Sequence, residues 1–334
     1  MSFTGDDLAE SDGTRPMQRK MNTQNAQWLH TSPSRMDRMR RLRSMFLVLT
    51  LTAMPHRILG QEAESSKPLP ELQGFLKEVR VRLASDSLLL SQYTYTQKVT
   101  ERRLDKNGRI TTSEEQVFEV YPSFEKGMTY LRLISKNGKP RSDREIEKSD
   151  REYDKKRAEW EKKLEREGTD ARARRLAKEA EGKRKEAQIL DEAMEMYRFA
   201  MSGREMLDEQ PAVLLTFEPR SEYKPRSREA KYLSRIAGRA WICEEDYELM
   251  RLEARLQGNI SIGFGLLARL NKGATATFQR RKINGEIWLP VQARFQGTGR
   301  LLLLKNMRLD TTVECTDFLK FSVDTRVQFH KVGK

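Results

Sequence analysis

Catalysis needs reactive side chains held close together, and this chain offers few. Its histidines are His30, His56 and His330. The first two fall before or within a stretch read below as a secretory signal. That leaves His330 near the C-terminus and removes most routes to a Ser-His or Cys-His nucleophile or a histidine metal site. No phosphate-binding loop, Gly-x-Ser-x-Gly elbow or His-Glu-x-x-His motif occurs. Glu244, Glu245 and Asp246 are consecutive, but they fall where a hairpin turn is expected, so they read as a solvated turn rather than a paired acid and base or a calcium site. Cys243 and Cys315 belong to expected strands far apart in sequence. They read as two separate buried thiols, with a disulfide in an oxidising compartment as the alternative. No cofactor, no metal and no enzymatic activity are expected; carboxylate-only catalysis is the one route left open.

Binding is the other kind of chemistry, and here the apolar side chains are the candidates. Leu252, Leu256, Phe278, Leu289, Val291, Phe295 and Leu303 lie on the apolar faces of expected strands. They are the ligand-cavity candidates. A closed helix-on-sheet core would use identical residues, and for each of them that is the commoner role.

The elements that must position these residues centre on the stretch from Gly238 to Phe329. Met250, Leu252, Ala254 and Leu256 alternate with Arg251, Glu253 and Arg255; Ile287, Leu289, Val291, Ala293 and Phe295 alternate with Trp288, Pro290, Gln292 and Arg294. Phe321, Val323, Thr325, Val327 and Phe329 repeat the pattern. Successive strand side chains point to opposite faces, so each segment offers one apolar and one wettable face, as in an antiparallel sheet. Between them Ile260 to Leu270 is the most apolar segment, and Gly263 and Gly265 predict a bulged strand or a mobile flap over the sheet.

Upstream, Leu72, Phe75, Leu76, Val79 and Leu83 have helical spacing. A strand from Tyr93 to about Leu104 turns at Asp105-Lys-Asn-Gly108 into a return strand ending at Tyr121, and another strand covers Met128 to Ser135. Ala212 to Phe217 reads as a strand and Arg228 to Ile236 as a short amphipathic helix. From Ser142 to Met206 the composition turns to Glu, Lys, Arg and Ala, with Ser142 and Glu145 spaced as a capping box. This predicts a charged helical insertion over 142–206, broken at Gly168-Thr-Asp170, forming a coiled-coil-like hairpin, docking one arm on the sheet, or standing as a mostly solvated charged helix pair.

The chain has 334 residues, 37% of them hydrophobic, and Lys+Arg 63 against Asp+Glu 49 gives +14. An excess of positive charge favours anionic partners, but the two signs are interleaved. There is no zinc-finger spacing and no ribonucleoprotein motif, so nucleic acid is disfavoured as a partner. Residues 1–35 are polar and aperiodic and read as disordered or as a start assigned too early. Within 36–60, Arg38, Arg40, Arg41 and Arg43 precede the apolar run Met45 to Met54. This is the layout of a signal peptide, too short to span a bilayer as a helix, and no cysteine follows to accept a lipid. Export to the periplasm or beyond, not as a lipoprotein, is the expectation, with cleavage after Gly60. Residues 61–70 then form a linker and 71–330 the folded domain.

Taken together, several segments resemble a known family: Tyr93-Thr-Tyr-Thr-Gln97, Leu133-Ile-Ser-Lys-Asn-Gly-Lys-Pro140, Gly238-Arg-Ala-Trp-Ile242 followed by Asp246-Tyr-Glu-Leu-Met-Arg-Leu-Glu253, and Gly285-Glu-Ile-Trp-Leu-Pro290. They resemble the LolA/LolB-like superfamily of outer-membrane lipoprotein-sorting proteins and periplasmic lipoprotein carriers, most closely exported proteins of acidobacterial type. The resemblance spans about Leu72 to Val327. It implies an α+β fold, an open antiparallel β half-barrel covered by helices, here with the long charged helical insertion added. It also implies an apolar cavity for a lipid or lipoprotein acyl chain. Each buried CH₂ is worth about 0.8 kcal/mol, so ten supply roughly 8 kcal/mol before ordering costs. The alternative is an envelope interaction or sensor protein whose barrel is filled by its own helices and whose 142–206 arm contacts a partner protein.

Overall fold

The computed structural model describes residues 67–85, 92–123, 128–262, 268–301 and 306–320. The residues expected to form a disordered arm (1–35), a signal (36–60) and a strand (Phe321 to Phe329), all three histidines, the Gly263 to Gly265 segment and Leu303 lie outside the described residues. All the described residues belong to one compact unit.

Helix α1 (Leu72–Ser85) precedes a meander of β1 (Tyr93–Leu104), β2 (Ile110–Tyr121), β3 (Tyr130–Lys136) and β4 (Lys139–Pro140). Two long helices follow, α2 (Asp143–Glu165) and α3 (Thr169–Met196). Then come β5 (Tyr197–Leu207), β6 (Gln210–Pro219), α4 (Arg228–Leu233), β7 (Ile236–Cys243) and β8 (Leu249–Leu256). The short β9 (Ile260–Ile262) and β10 (Ala268–Leu270) precede β11 (Thr275–Ile283), β12 (Ile287–Leu301) and β13 (Asn306–Lys320). All the strand pairs are antiparallel, in the order β4-β3-β2-β1-β13-β12-β11-β8-β7-β6-β5, with β10 and β9 added at the far half of β12. The path has two ends and does not close. It is an α+β fold on an open antiparallel sheet.

Turn chemistry fixes the hairpins. Asp105 Oδ1 accepts from the Asn107 and Arg109 N–H groups at 2.8 and 2.9 Å, and Gly108 takes φ 81°, the left-handed conformation expected of glycine there. Gly299 answers a different need: a Cβ at that position would lie 2.4 Å from the Arg269 carbonyl oxygen. Only glycine lets β10 approach β12 so closely.

The insertion ends earlier than its composition suggests. Helix stops at Met196, and 197–206 are strand β5, not helix. Tyr197, Phe199 and Met201 alternate with Arg198 and Ala200 and pair with Pro219, Phe217 and Leu215 of β6. Tertiary pairing overrides the helical stripe, and no glycine or proline marks the change. The arm also docks at its two ends instead of burying a seam along its length. The α2 helix has no fully buried residue, and α3 buries only Glu192 and Met196. The capping box forms, with Glu145 Oε2 accepting from the Ser142 N–H at 3.1 Å.

One face of the sheet carries the main core. Phe75, Leu76 and Val79 of α1 and Met196 of α3 pack on Val213, Leu215, Phe217, Ile236, Ala240, Ile242, Ala254 and Leu256. Each side chain of that size taken from water contributes about 1.5–3 kcal/mol. The opposite face, called here the outer face, holds a smaller cluster of Ala212, Leu214, Trp241, Cys243, Met250 and Trp288. A register shift between Trp241 and Ile242 leaves Met250 without a partner on β7. That bulge turns Met250 away from Leu252 and Ala254, with which simple alternation groups it.

Candidate functional site

Register decides which side chains stand together, because directly paired antiparallel residues share a face. Across the sheet, Leu215 pairs with Ala240, Ala240 with Leu252, Leu252 with Phe278, Phe278 with Ala293, Ala293 with Val313, and Val313 with Val99. The β6 end of this apolar row is fully buried beneath α1 and α3, with Leu215 at 2% exposure and Ala240 at 8%. From Leu252 through Phe278, Ala293 and Val313 to Val99 the row is only half-buried.

The seven apolar candidates divide accordingly. Leu256 is buried in the main core, and Leu252 and Phe295 pack against it. Phe278 stands on the half-buried row next to Leu252. Leu289 leaves the group for a separate cluster with Tyr93 and Ile287. A register shift between Gln279 and Arg280 leaves Val291 unpaired on β11. Leu303 lies outside the described residues.

Sequence reasoning did not find the open trough on the outer face, about 880 Å³ in volume. None of the seven candidates lines it. Three register rows form its floor. Arg255, Thr275, Gln296, Asp310 and Arg102 stand in one; Thr277, Arg294, Thr312, Thr100 and Glu115 in the next; Gln292, Glu314 and Lys98 in the third. The rows cross β8, β11, β12, β13 and β1, four strand steps or about 19 Å if flat. Asp310, 8% exposed, accepts from Arg294 Nε at 3.0 Å and Nη2 at 2.8 Å and from Gln296 Nε2 at 3.2 Å. Burial alone would raise its pKa, but those bonds and the Arg294 and Arg102 charges hold the carboxyl below its ordinary range. The bond to Asp310 in turn raises Arg294. Lys98 bridges Glu314 at 3.3 Å and Glu115 at 3.8 Å.

Beside the trough, Glu253 is 1% exposed and takes Arg239 and Arg251 as partners, and both guanidiniums lie 5.0 Å from the Trp241 ring centre. The acidic turn is ion-paired, not merely solvated: Glu244 binds Arg204, and Asp246 Oδ2 accepts from Lys282 Nζ at 2.7 Å and Trp288 Nε1 at 2.8 Å. Cys243 on β7 and Cys315 on β13 are separate thiols, four strand steps or about 19 Å apart. Among the described residues no group of three or more His, Cys, Asp or Glu side chains could hold a metal ion. No described helix is long and apolar enough to cross a membrane.

No family model matches the chain. No curated protein matches it either. Among solved structures it is similar to a DUF1329 family protein from Desulfovibrio piger, with 13% identity over 78% of this chain and 96% of that one and a TM-score of 0.26. It is similar to an outer membrane lipoprotein-sorting protein domain from Vibrio parahaemolyticus, with 10% identity over 77% and 96% of the two chains and a TM-score of 0.28. A LolA superfamily protein from Nitrosomonas europaea gives 10% identity, 76% and 96% coverage, and a TM-score of 0.24. At such values these likenesses carry no argument about activity. None of these three is an acidobacterial protein.

Proposed function

We propose that this chain is a non-enzymatic, exported cell-envelope protein that binds an apolar ligand, a lipid or a lipoprotein acyl chain. The observation that carries this reading is the half-buried row Leu252–Phe278–Ala293–Val313–Val99, which continues the buried core face beyond its helix-covered end. Hydrocarbon laid along such a row loses water contact on both sides, which is the driving force the family resemblance calls for. Leu252, Phe278 and Phe295 are the contact residues we assign, with Leu256 as the wall behind them; Leu289, Val291 and Leu303 are the remaining candidates.

The test uses N-phenyl-1-naphthylamine, an uncharged dye whose fluorescence rises in apolar surroundings, with a monoacylglycerol as competitor. The protein binds the dye, the lipid displaces it, and Phe278→Ser weakens binding by about tenfold, the loss expected for one such contact. Val99→Ser, a milder change, acts in the same direction. Absence of dye binding by folded protein removes the reading. Processing near Gln61 in a periplasmic fraction, read by intact mass, tests export separately.

A second reading, docking of an envelope protein on the α2–α3 arm, is supported by the exposure of its distal half. Leu176 is 48% exposed there. Replacing the arm's exposed face would abolish a pull-down partner while leaving the sheet folded.

A further inference from the structure

The outer-face trough has no part in the apolar reading, and its chemistry calls for a different ligand. Its lining holds four cations, Lys98, Arg102, Arg255 and Arg294, against two carboxylates, Glu115 and Glu314, with a third carboxylate, Asp310, buried in the floor beside Arg294. Threonines and glutamines make up the rest apart from Ala276, and no aromatic side chain is among them. We propose that this trough is a binding site for a short acidic oligosaccharide of the uronate type, whose carboxylates meet the guanidiniums and whose hydroxyls meet the threonine, glutamine and glutamate oxygens and amides.

Four features support the assignment. The volume, about 880 Å³, lies in the range of ligand sites and is far larger than one small anion needs. Arg294 is positioned in advance: Asp310 holds two of its nitrogens, yet 47% of its side chain stays exposed toward the trough side of the sheet. A guanidinium held this way loses little rotamer freedom when it takes up a second carboxylate. The cations are spread across the floor, with Arg255 and Arg102 at opposite ends of one row and Arg294 between them in the next, so a ligand must carry anionic groups at intervals. Finally, Glu115 and Glu314 accept hydrogen bonds only, which suits a hydroxyl-rich anion and penalises a bare polyanion.

Competing classes fit less well. Acidic peptides are also taken up by arginine clusters, but they carry few hydroxyls for the threonines, glutamines and glutamates of this lining. Single-stranded nucleic acid needs aromatic stacking platforms. An acyl chain would meet side-chain methylenes and methyls interrupted throughout by charged and amide groups, with Ala276 the one apolar residue of the lining.

The experiment is calorimetric titration of the full chain at low ionic strength with tetragalacturonate. Its methyl ester, which lacks the charges, and tetraglutamate, which lacks the hydroxyls, serve as comparisons. Tetragalacturonate binds, and the other two bind at least about tenfold more weakly. Arg294→Gln weakens binding about tenfold to a hundredfold. Because that change strands Asp310, Arg102→Gln is measured beside it, with a thermal melt matching the native protein and the same direction of effect. No binding of tetragalacturonate, equal affinity for tetraglutamate, or native affinity in both variants overturns the proposal.

Discussion

Glu192 shows how much one side chain can hold in this fold. It sits near the end of α3, 5% exposed, and accepts from the Ser227 hydroxyl at 2.7 Å and the Arg226 N–H at 2.5 Å, so α3 is tied to the N-cap of α4. Burial pushes its pKa up, but the Ser227 hydroxyl, the two backbone N–H groups and the Arg226 charge outweigh burial and leave it below the ordinary value. A carboxylate depressed on folding adds stability above its unfolded pKa of about 4.3 and loses it as pH falls through the folded value. Glu192→Gln therefore costs about 2 kcal/mol at neutral pH, and the gap from the native protein closes below about pH 4. Urea melts at several pH values check this; a gap that stays constant would mean that the carboxylate charge plays no part. Arg132 makes a comparable claim without titrating. It is buried between Asp150 and Glu119, with bonds of 2.9 to 3.0 Å. Arg132→Met leaves two carboxylates facing each other and lowers stability by about 3 kcal/mol, measured in the same melts.

At the scale of elements, the arm is fastened at both ends and exposed between them. Its first helix is held on the outer face at β3, where Tyr153 stacks on Tyr130 with ring centres 4.3 Å apart and donates to the Met128 carbonyl at 3.0 Å. Tyr153→Ala costs about 2 kcal/mol, since the ring is half-buried. Hydrogen exchange then shows α2 amides losing protection while β11 to β13 keep theirs, because local opening need not involve the sheet. If the sheet amides lost protection equally, the arm would be part of the core. Much of this layout was legible in sequence. The alternation from Tyr93 to Tyr121 and from Ala212 to Leu256, the Asp105 to Gly108 turn, the Gly168 break and the Ser142 box each follow from local physics. The change from α3 to β5 was not legible, because no breaker stands at Met196 and the strand exists only by pairing with β6. The bulges at Met250 and Val291 were hidden for the same reason: an extra residue in a strand is visible only against its partner. The trough escaped because Lys98, Thr100 and Arg102 or Gln292, Arg294 and Gln296 read, strand by strand, as an ordinary solvent face.

Taken as a whole, the described fold sets two unlike surfaces back to back on the same strands. On β12, Ala293 and Phe295 face the apolar row while Gln292, Arg294 and Gln296 face the trough; on β1, Val99 alternates with Lys98 and Thr100. A sheet one residue thick therefore separates the two proposed sites, with backbone hydrogen bonds between them and Ala276, paired with Phe295, the one residue that borders both. Phe278 and Arg294 belong to neighbouring pairs along the strands, Phe278 with Ala293 and Thr277 with Arg294. Additivity to within about 0.3–0.5 kcal/mol, roughly a factor of two in affinity, therefore holds only if their opposed side chains act independently through the shared backbone. Phe278→Ser should then abolish most dye binding and leave tetragalacturonate affinity within about twofold, while Arg294→Gln should do the reverse. The double variant, titrated with each probe in turn, should show the product of the single effects. A larger departure from that product would mean that the strands move between two arrangements, each favouring one face, and the chain would then be a coupler of its two ligands rather than a scaffold with two independent sites.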